Sequence, residues 1–124
     1  MGFFDGLIGN ASETNLEAVE NEIKDILTTS EHVEHAYKVI RDLFVFTNKR
    51  LILIDKQGVI GKKVDYHSIP YQNIVHFSIE TAGNFDVDAE MKLWIAAGGI
   101  IEKRFNKSLN IYKVQSVLAE YVLK

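Results

Sequence analysis

Four groups of residues have types and spacings that could carry chemistry. His32 and His35 lie in Glu31-His32-Val33-Glu34-His35, and two imidazoles three apart could begin a metal site. That spacing serves a metal on a helix; in the strand expected from Val33 the rings point to opposite faces, and no third ligand is visible. Asn84, Asp86, Asp88 and Glu90 fall on alternate positions, like the opening of a calcium loop. Such a loop needs glycine at its sixth place and a bidentate glutamate at its twelfth, and counting from Asn84 those places hold Ala89 and Ile95. No metal site is expected, and the acids read as the solvated face of a strand. Ser68 beside His67, and Ser78 near His76, pair a hydroxyl with a base by type only. No nucleophile elbow, phosphate loop or glycine-rich fingerprint accompanies them. The chain is expected to be no enzyme and to hold no cofactor.

The fourth group is basic. Lys49, Arg50, Lys56, Lys62 and Lys63 concentrate positive charge near one hairpin and the strand after it. An anionic surface or an acidic peptide could use them. A solvated turn with charged edge strands accounts for them equally well. The net charge of the chain is −3, so nucleic acid is not the expected partner.

The elements that must position these groups fit one domain spanning all 124 residues. Cysteine is absent, which excludes disulfides, thiolate metal sites and cysteine nucleophiles and suits a reducing, cytoplasmic compartment. No apolar stretch approaches the ~18–20 residues of a membrane span. Residues 1–28 read as a helical extension. Phe3, Phe4, Leu7 and Ile8 form an apolar set, and Thr14-Asn15-Leu16-Glu17 has the pattern of a capping box with Thr14 as N-cap. Leu16, Val19, Ile23, Ile26 and Leu27 then repeat at helical spacing, which predicts a helix over 14–27. From Val33 the period becomes two. Strands are expected near 33–40, 43–47, 50–55, 60–66, 74–81, 86–97 and 100–106. Ala97-Gly98-Gly99 has turn chemistry, and Pro70 argues for a break between strands. A last amphipathic helix is expected over 110–123, with Asn110 as N-cap. The chain therefore reads as mainly β, an antiparallel sandwich or open barrel with a C-terminal capping helix and an extra N-terminal helix.

At this point a family resemblance enters. Phe46-Thr47-Asn48-Lys49-Arg50-Leu51-Ile52-Leu53-Ile54-Asp55 followed by Gly58 resembles the signature hairpin of bacterial pleckstrin-homology (PH) domains. Tyr66-His67-Ser68-Ile69-Pro70-Tyr71-Gln72-Asn73-Ile74 is similar to the segment that follows it in that family. The stretch from Glu80 to Glu90 and the opening MGFFDGLIGN are similar to its short, stand-alone members. The resemblance implies a seven-stranded PH-like fold closed by a C-terminal helix, and ring-shaped homo-oligomers. One departure matters. Phosphoinositide-binding PH domains carry several lysines and arginines around the loop between the first two strands, and here that loop is Ile40-Arg41-Asp42-Leu43. No phosphoinositide site carries over.

The hairpin itself poses a problem of cover. Neither Leu43–Phe46 nor Leu51–Ile54 alternates with polar residues, so both faces of the hairpin must be buried. In the expected phasing Leu43, Val45, Leu51 and Leu53 face one way, and Phe44, Phe46, Ile52 and Ile54 the other. Lys49 and Arg50 are expected to stay wet in the connection. The second face needs either the N-terminal helix or a neighbouring subunit. Trp94, on the polar side of its strand, needs the same helix or a contact with another chain. Phe3, Phe4, Leu7, Ile8, Phe44, Phe46, Ile52, Ile54 and Trp94 are therefore candidate interface residues. The expected function is a non-enzymatic, self-associating domain that binds a protein or peptide partner. The alternative is a peripheral membrane or anion-binding module that uses the N-terminal apolar segment and the basic hairpin region.

Overall fold

The computed structural model describes residues 15–39, 42–57, 63–81, 89–105 and 110–123. The N-terminal helix is shorter than its apolar stripe. It runs as α1 over Leu16–Glu22, and a 3-10 turn over Lys24–Ile26 follows. Its N-cap is Asn15 rather than Thr14, which lies outside the described residues. The Asn15 side chain accepts from the Ala18 amide. Asn and Thr are both good caps, and sequence alone does not separate adjacent ones.

Among the described residues seven strands follow: β1 (Val33–Val39), β2 (Asp42–Thr47), β3 (Arg50–Gln57), β4 (Lys63–Pro70), β5 (Ile74–Glu80), β6 (Ala89–Ile95) and β7 (Ile100–Phe105). They form a four-stranded sheet in the order β1-β2-β3-β4 and a three-stranded sheet in the order β5-β6-β7. All the pairings are antiparallel. Pro70 ends β4, where its missing N–H costs no ladder bond, and a 3-10 turn over Tyr71–Asn73 leads into the second sheet. The β6–β7 turn holds Ala97, Gly98 and Gly99 at φ of 74°, 99° and 104°. Glycine adopts that left-handed region freely, so a side chain at Gly98 or Gly99 would be strained. The C-terminal helix α2 spans Ile111–Val122, and its N-cap Asn110 accepts from the Lys113 amide.

The register corrects the expected phasing of the hairpin. Leu43 opposes Ile54, Phe44 opposes Leu53, Val45 opposes Ile52, and Phe46 opposes Leu51. Opposed residues share a face of a sheet. Phe44, Phe46, Leu51 and Leu53 therefore point inward, to a core completed by Met91, Leu93, Phe105, Val114 and Leu118. Leu43, Val45, Ile52 and Ile54 point outward, where Val19, Ile23, Val33 and Ala36 complete a second cluster. The apolar pattern demands two covers; only the turn decides which residues share one.

The N-terminal helix is thus the lid of the outer face. Fully burying each of its apolar contacts is worth ~1.5–3 kcal/mol, enough to fix a helix of this length that would not persist alone in water. Ile23 is 2% exposed at the centre of that contact. Ile23→Ala is expected to lower the unfolding free energy by about 2–5 kcal/mol, read from urea titrations. Leu123, 69% exposed, serves as the control: Leu123→Ala should stay within about 0.5 kcal/mol of the parent.

Candidate functional site

The polar island Thr47-Asn48-Lys49-Arg50 is built as a clamp. Thr47 ends β2, and its hydroxyl accepts from the amides of Lys49 at 3.0 Å and Arg50 at 2.9 Å, closing the turn. The same hydroxyl donates to the Glu31 carboxylate at 2.6 Å. Arg50 opens β3 and grips both Glu31 oxygens, from Nε at 2.8 Å and Nη2 at 2.9 Å. It also donates to the Ile26 carbonyl at 2.5 Å and to Ser68 Oγ at 2.8 Å. Asn48 completes the clamp. Its backbone N–H donates to the His32 carbonyl at 3.2 Å, its side chain accepts from the His32 amide at 2.8 Å, and it donates to the Ser30 carbonyl at 3.0 Å. The turn therefore fastens the segment that follows α1 onto the first sheet.

Electrostatics make this clamp stiff. The Glu31 side chain is wholly buried and that of Arg50 is 21% exposed. Burial alone would raise the Glu31 pKa. Hydrogen bonds from Arg50, Thr47 and the Thr28 amide, with the Arg50 charge, outweigh it and hold the carboxyl down at about 2. The expectation that Arg50 stays wet is thereby corrected. A bidentate guanidinium–carboxylate pair that is desolvated on one side gains more from its partner than from water.

Beside the clamp lies an open cleft of about 510 Å³. Its walls are Asn48 and Lys49 of the β2–β3 turn, Pro70, Tyr71 and Gln72 of the β4–β5 link, and Tyr121 and Val122 at the end of α2. The two tyrosines stack with ring centroids 4.6 Å apart and planes 22° apart, and Tyr121 also stacks on Phe46 at 5.6 Å. Both hydroxyls are tied into the protein. Tyr71 shares its proton between the carbonyls of Thr47 at 2.6 Å and Arg50 at 2.8 Å, and Tyr121 donates to Glu34. Burial first, then the neighbouring Tyr121, Glu34 and Glu31, pushes the Tyr71 phenol well above its ordinary value, so it remains a neutral donor. The cleft thus presents fixed aromatic rings under a rim carrying the exposed Lys49.

Among the described residues, those singled out in the sequence do not converge elsewhere. His32 is paired with Glu34 at 3.1 Å, while His35, beyond a bulge in β1, packs edge-on against Phe46 and Tyr121. No cluster of three metal-ligating side chains occurs among the described residues. Asn84, Asp86 and Asp88 lie outside them, and Glu90 sits on β6 between Glu80 and Arg104. Ser68 is bound by Arg50. His76 stacks on Trp94 with centroids 4.5 Å apart. Among the basic residues, Arg50 is spent on Glu31 and Lys56 pairs with Glu22 at 2.9 Å. Lys63 begins β4 opposite Gln57, at the far end of β3 from Lys49, and Lys62 lies outside the described residues. Of the candidate interface, Phe44, Phe46, Ile52 and Ile54 are at most 1% exposed within the single chain. Phe3, Phe4, Leu7 and Ile8 lie outside the described residues. Trp94 is half-buried on the outer face of β6, flanked by His76 and Ile100. The N-terminal helix covers the other sheet.

A four-stranded sheet and a three-stranded sheet, with a C-terminal helix closing their shared core, define the PH-like class of fold. The family model for the bacterial PH domain matches residues 2–122, and the chain belongs to that family. It is similar to the Bacillus subtilis (strain 168) uncharacterized protein YjqA, 54% identical over 121 residues that cover 96% of this chain and 97% of that one. The same organism's uncharacterized protein YozO is 34% identical, covering 82% of this chain and 87% of its own. Among solved structures, the pleckstrin homology domain from Shewanella amazonensis SB2B superposes with a TM-score of 0.86 at 54% identity, covering 99% of this chain and all of its own. The pleckstrin-homology protein from Shewanella loihica PV-4 gives 0.79 at 52% identity, covering 92% of this chain and 98% of its own.

The Glu31 geometry has a pH consequence. Its folded pKa of about 2 lies below the reference 4.5, so its stabilisation is complete above pH 4.5 and is lost as pH falls toward 2. The linkage is on the order of 3 kcal/mol. In urea titrations across that window, Glu31→Gln is expected to be less stable than the parent near neutrality and to lose less stability on acidification. Parallel pH profiles would contradict this role.

Proposed function

We propose that this PH-like domain is a non-enzymatic, self-associating module that binds a protein or peptide segment. The observation that carries this reading is an apolar strip on the outer face of the second sheet. His76, Trp94 and Ile100 stand side by side on β5, β6 and β7, Ile100 is 50% exposed, and the adjoining Val75 is 59% exposed. Aromatic and aliphatic side chains grouped on a sheet face favour contact with another protein surface. The next row, Ser78-Lys92-Glu102, supplies a polar rim with both signs of charge. Binding rather than catalysis is supported by the state of the polar groups. The Tyr71 hydroxyl, Ser68, Arg50 and Glu31 are all hydrogen-bonded within the fold, where they hold shape. The cleft beside Tyr71 and Tyr121 supplies the place for a segment of a partner.

Light scattering at micromolar concentration is the test. A multimeric mass is expected, with Trp94→Glu shifting it toward the monomer while far-ultraviolet circular dichroism stays unchanged. A monomeric wild-type chain would overturn self-association.

A further inference from the structure

We infer that His76 makes the apolar strip of the second sheet pH-sensitive: a neutral imidazole lets another protein surface cover the strip, and a protonated one prevents it. This names the regulation of the surface proposed above and rests on that reading. The strip holds a titratable ring among apolar neighbours. A bulge in β5 between Ile74 and His76 leaves Val75 and His76 both exposed, whereas consecutive side chains of a regular strand take opposite faces. His76 stacks on the half-buried Trp94 with centroids 4.5 Å apart and planes 24° apart. Ile100 lies beyond Trp94 in the same row.

Charged groups near the ring are few. Ser78 follows it on the outer face of β5, with Lys92 beside Ser78 on β6 and Glu102 beyond Lys92 on β7. Glu80, Glu90 and Arg104 form the row after that. The turn before β5 contributes Tyr71, whose hydroxyl is held by Thr47 and Arg50, and α2 packs on the opposite, core side of β5. Among the described residues no carboxylate pairs with His76. The nearest charge in the register, Lys92, has the same sign as an imidazolium.

Two states of the strip therefore treat the proton differently. Open to water, an imidazolium is solvated and is also favoured by the indole face it stacks on, so the fold tolerates the charge. Under a second surface the water is gone and no acid of the strip replaces it, and a buried charge without a partner is strongly disfavoured. Covering the strip expels the proton, and by linkage the proton expels the cover. The covered state binds fewer protons, so contact strengthens as pH rises and weakens as it falls. Histidine is the side chain that changes charge between about pH 5 and 8, which sets the window.

The test uses the full chain at about pH 7.5 and about pH 5.5, within that window. Trp94 is the one tryptophan of the chain, and an imidazolium held against its indole quenches the emission. Emission is expected to fall on acidification in the wild type and to stay level in His76→Gln, with far-ultraviolet circular dichroism unchanged in both. By light scattering, the concentration for half-dissociation should rise about tenfold between the two pH values, the factor one histidine proton gives across its usual range. In His76→Gln that ratio should approach one, and His76→Lys should show the low-pH mass of the wild type at both pH values. Emission that does not titrate overturns the switch and leaves self-association standing. So does a wild-type mass that ignores pH, or a tenfold ratio that persists in His76→Gln. A wild type that is monomeric at the higher pH overturns the self-association reading, and the switch with it.

Discussion

The buried pair between Glu31 and Arg50 is the constraint on which the rest of this small fold depends. Its two partners are distant in sequence and belong to different parts of the chain, one to the segment after the N-terminal helix and one to the first residue of β3. Neither could be buried alone, because an unpaired charge in such a place costs several kcal/mol. Together, with Thr47 and the Thr28 amide using the remaining lone pairs of the carboxylate, they form a connected network in which each member satisfies another. Such a network specifies one arrangement of the helix over the sheet, whereas apolar contact alone would tolerate several.

Two surfaces inherit their shape from it. On the outer face of the first sheet, α1 and the turn after it close over Leu43, Val45, Ile52 and Ile54, and the strands of β2 and β3 become buried on both sides. On the inner side, the Tyr71 hydroxyl reaches the carbonyls of Thr47 and Arg50, the two ends of the same turn. The aromatic floor of the cleft is thereby referenced to the clamp. A four-residue turn thus sets both the lid on one face and the pocket on the other.

Much of this architecture is legible in the residues, because it rests on periodicity. Alternation places β6, with Ala89, Met91 and Leu93 inward, and the stripe Ile111, Val114, Leu118 places α2. The absence of alternation in Leu43–Phe46 and Leu51–Ile54 announces a hairpin covered on both faces. What the residues do not disclose is register and partnership. A turn that pairs Phe46 with Leu51 rather than with Ile52 moves every side chain of one strand across the sheet. Glu31 draws notice only as a neighbour of His32, since a carboxylate sixteen positions ahead of Thr47 carries no local signal of its partner. Arg50, by the same logic, reads as a surface cation. The charge cluster at the hairpin was therefore the least readable feature: its members are similar in type, and only the fold separates the structural Arg50 from the exposed Lys49.

The central claim is that the Glu31–Arg50 clamp holds the N-terminal helix on the sheet. Amide hydrogen exchange in Arg50→Met measures this most directly, because the substitution keeps an unbranched side chain while removing the charge. Faster exchange confined to residues 16–32 and to the turn at 47–50, with β5, β6 and β7 still protected, is the expected result. Unchanged protection of Val19 and Ile23, or an equal loss across both sheets, would contradict it.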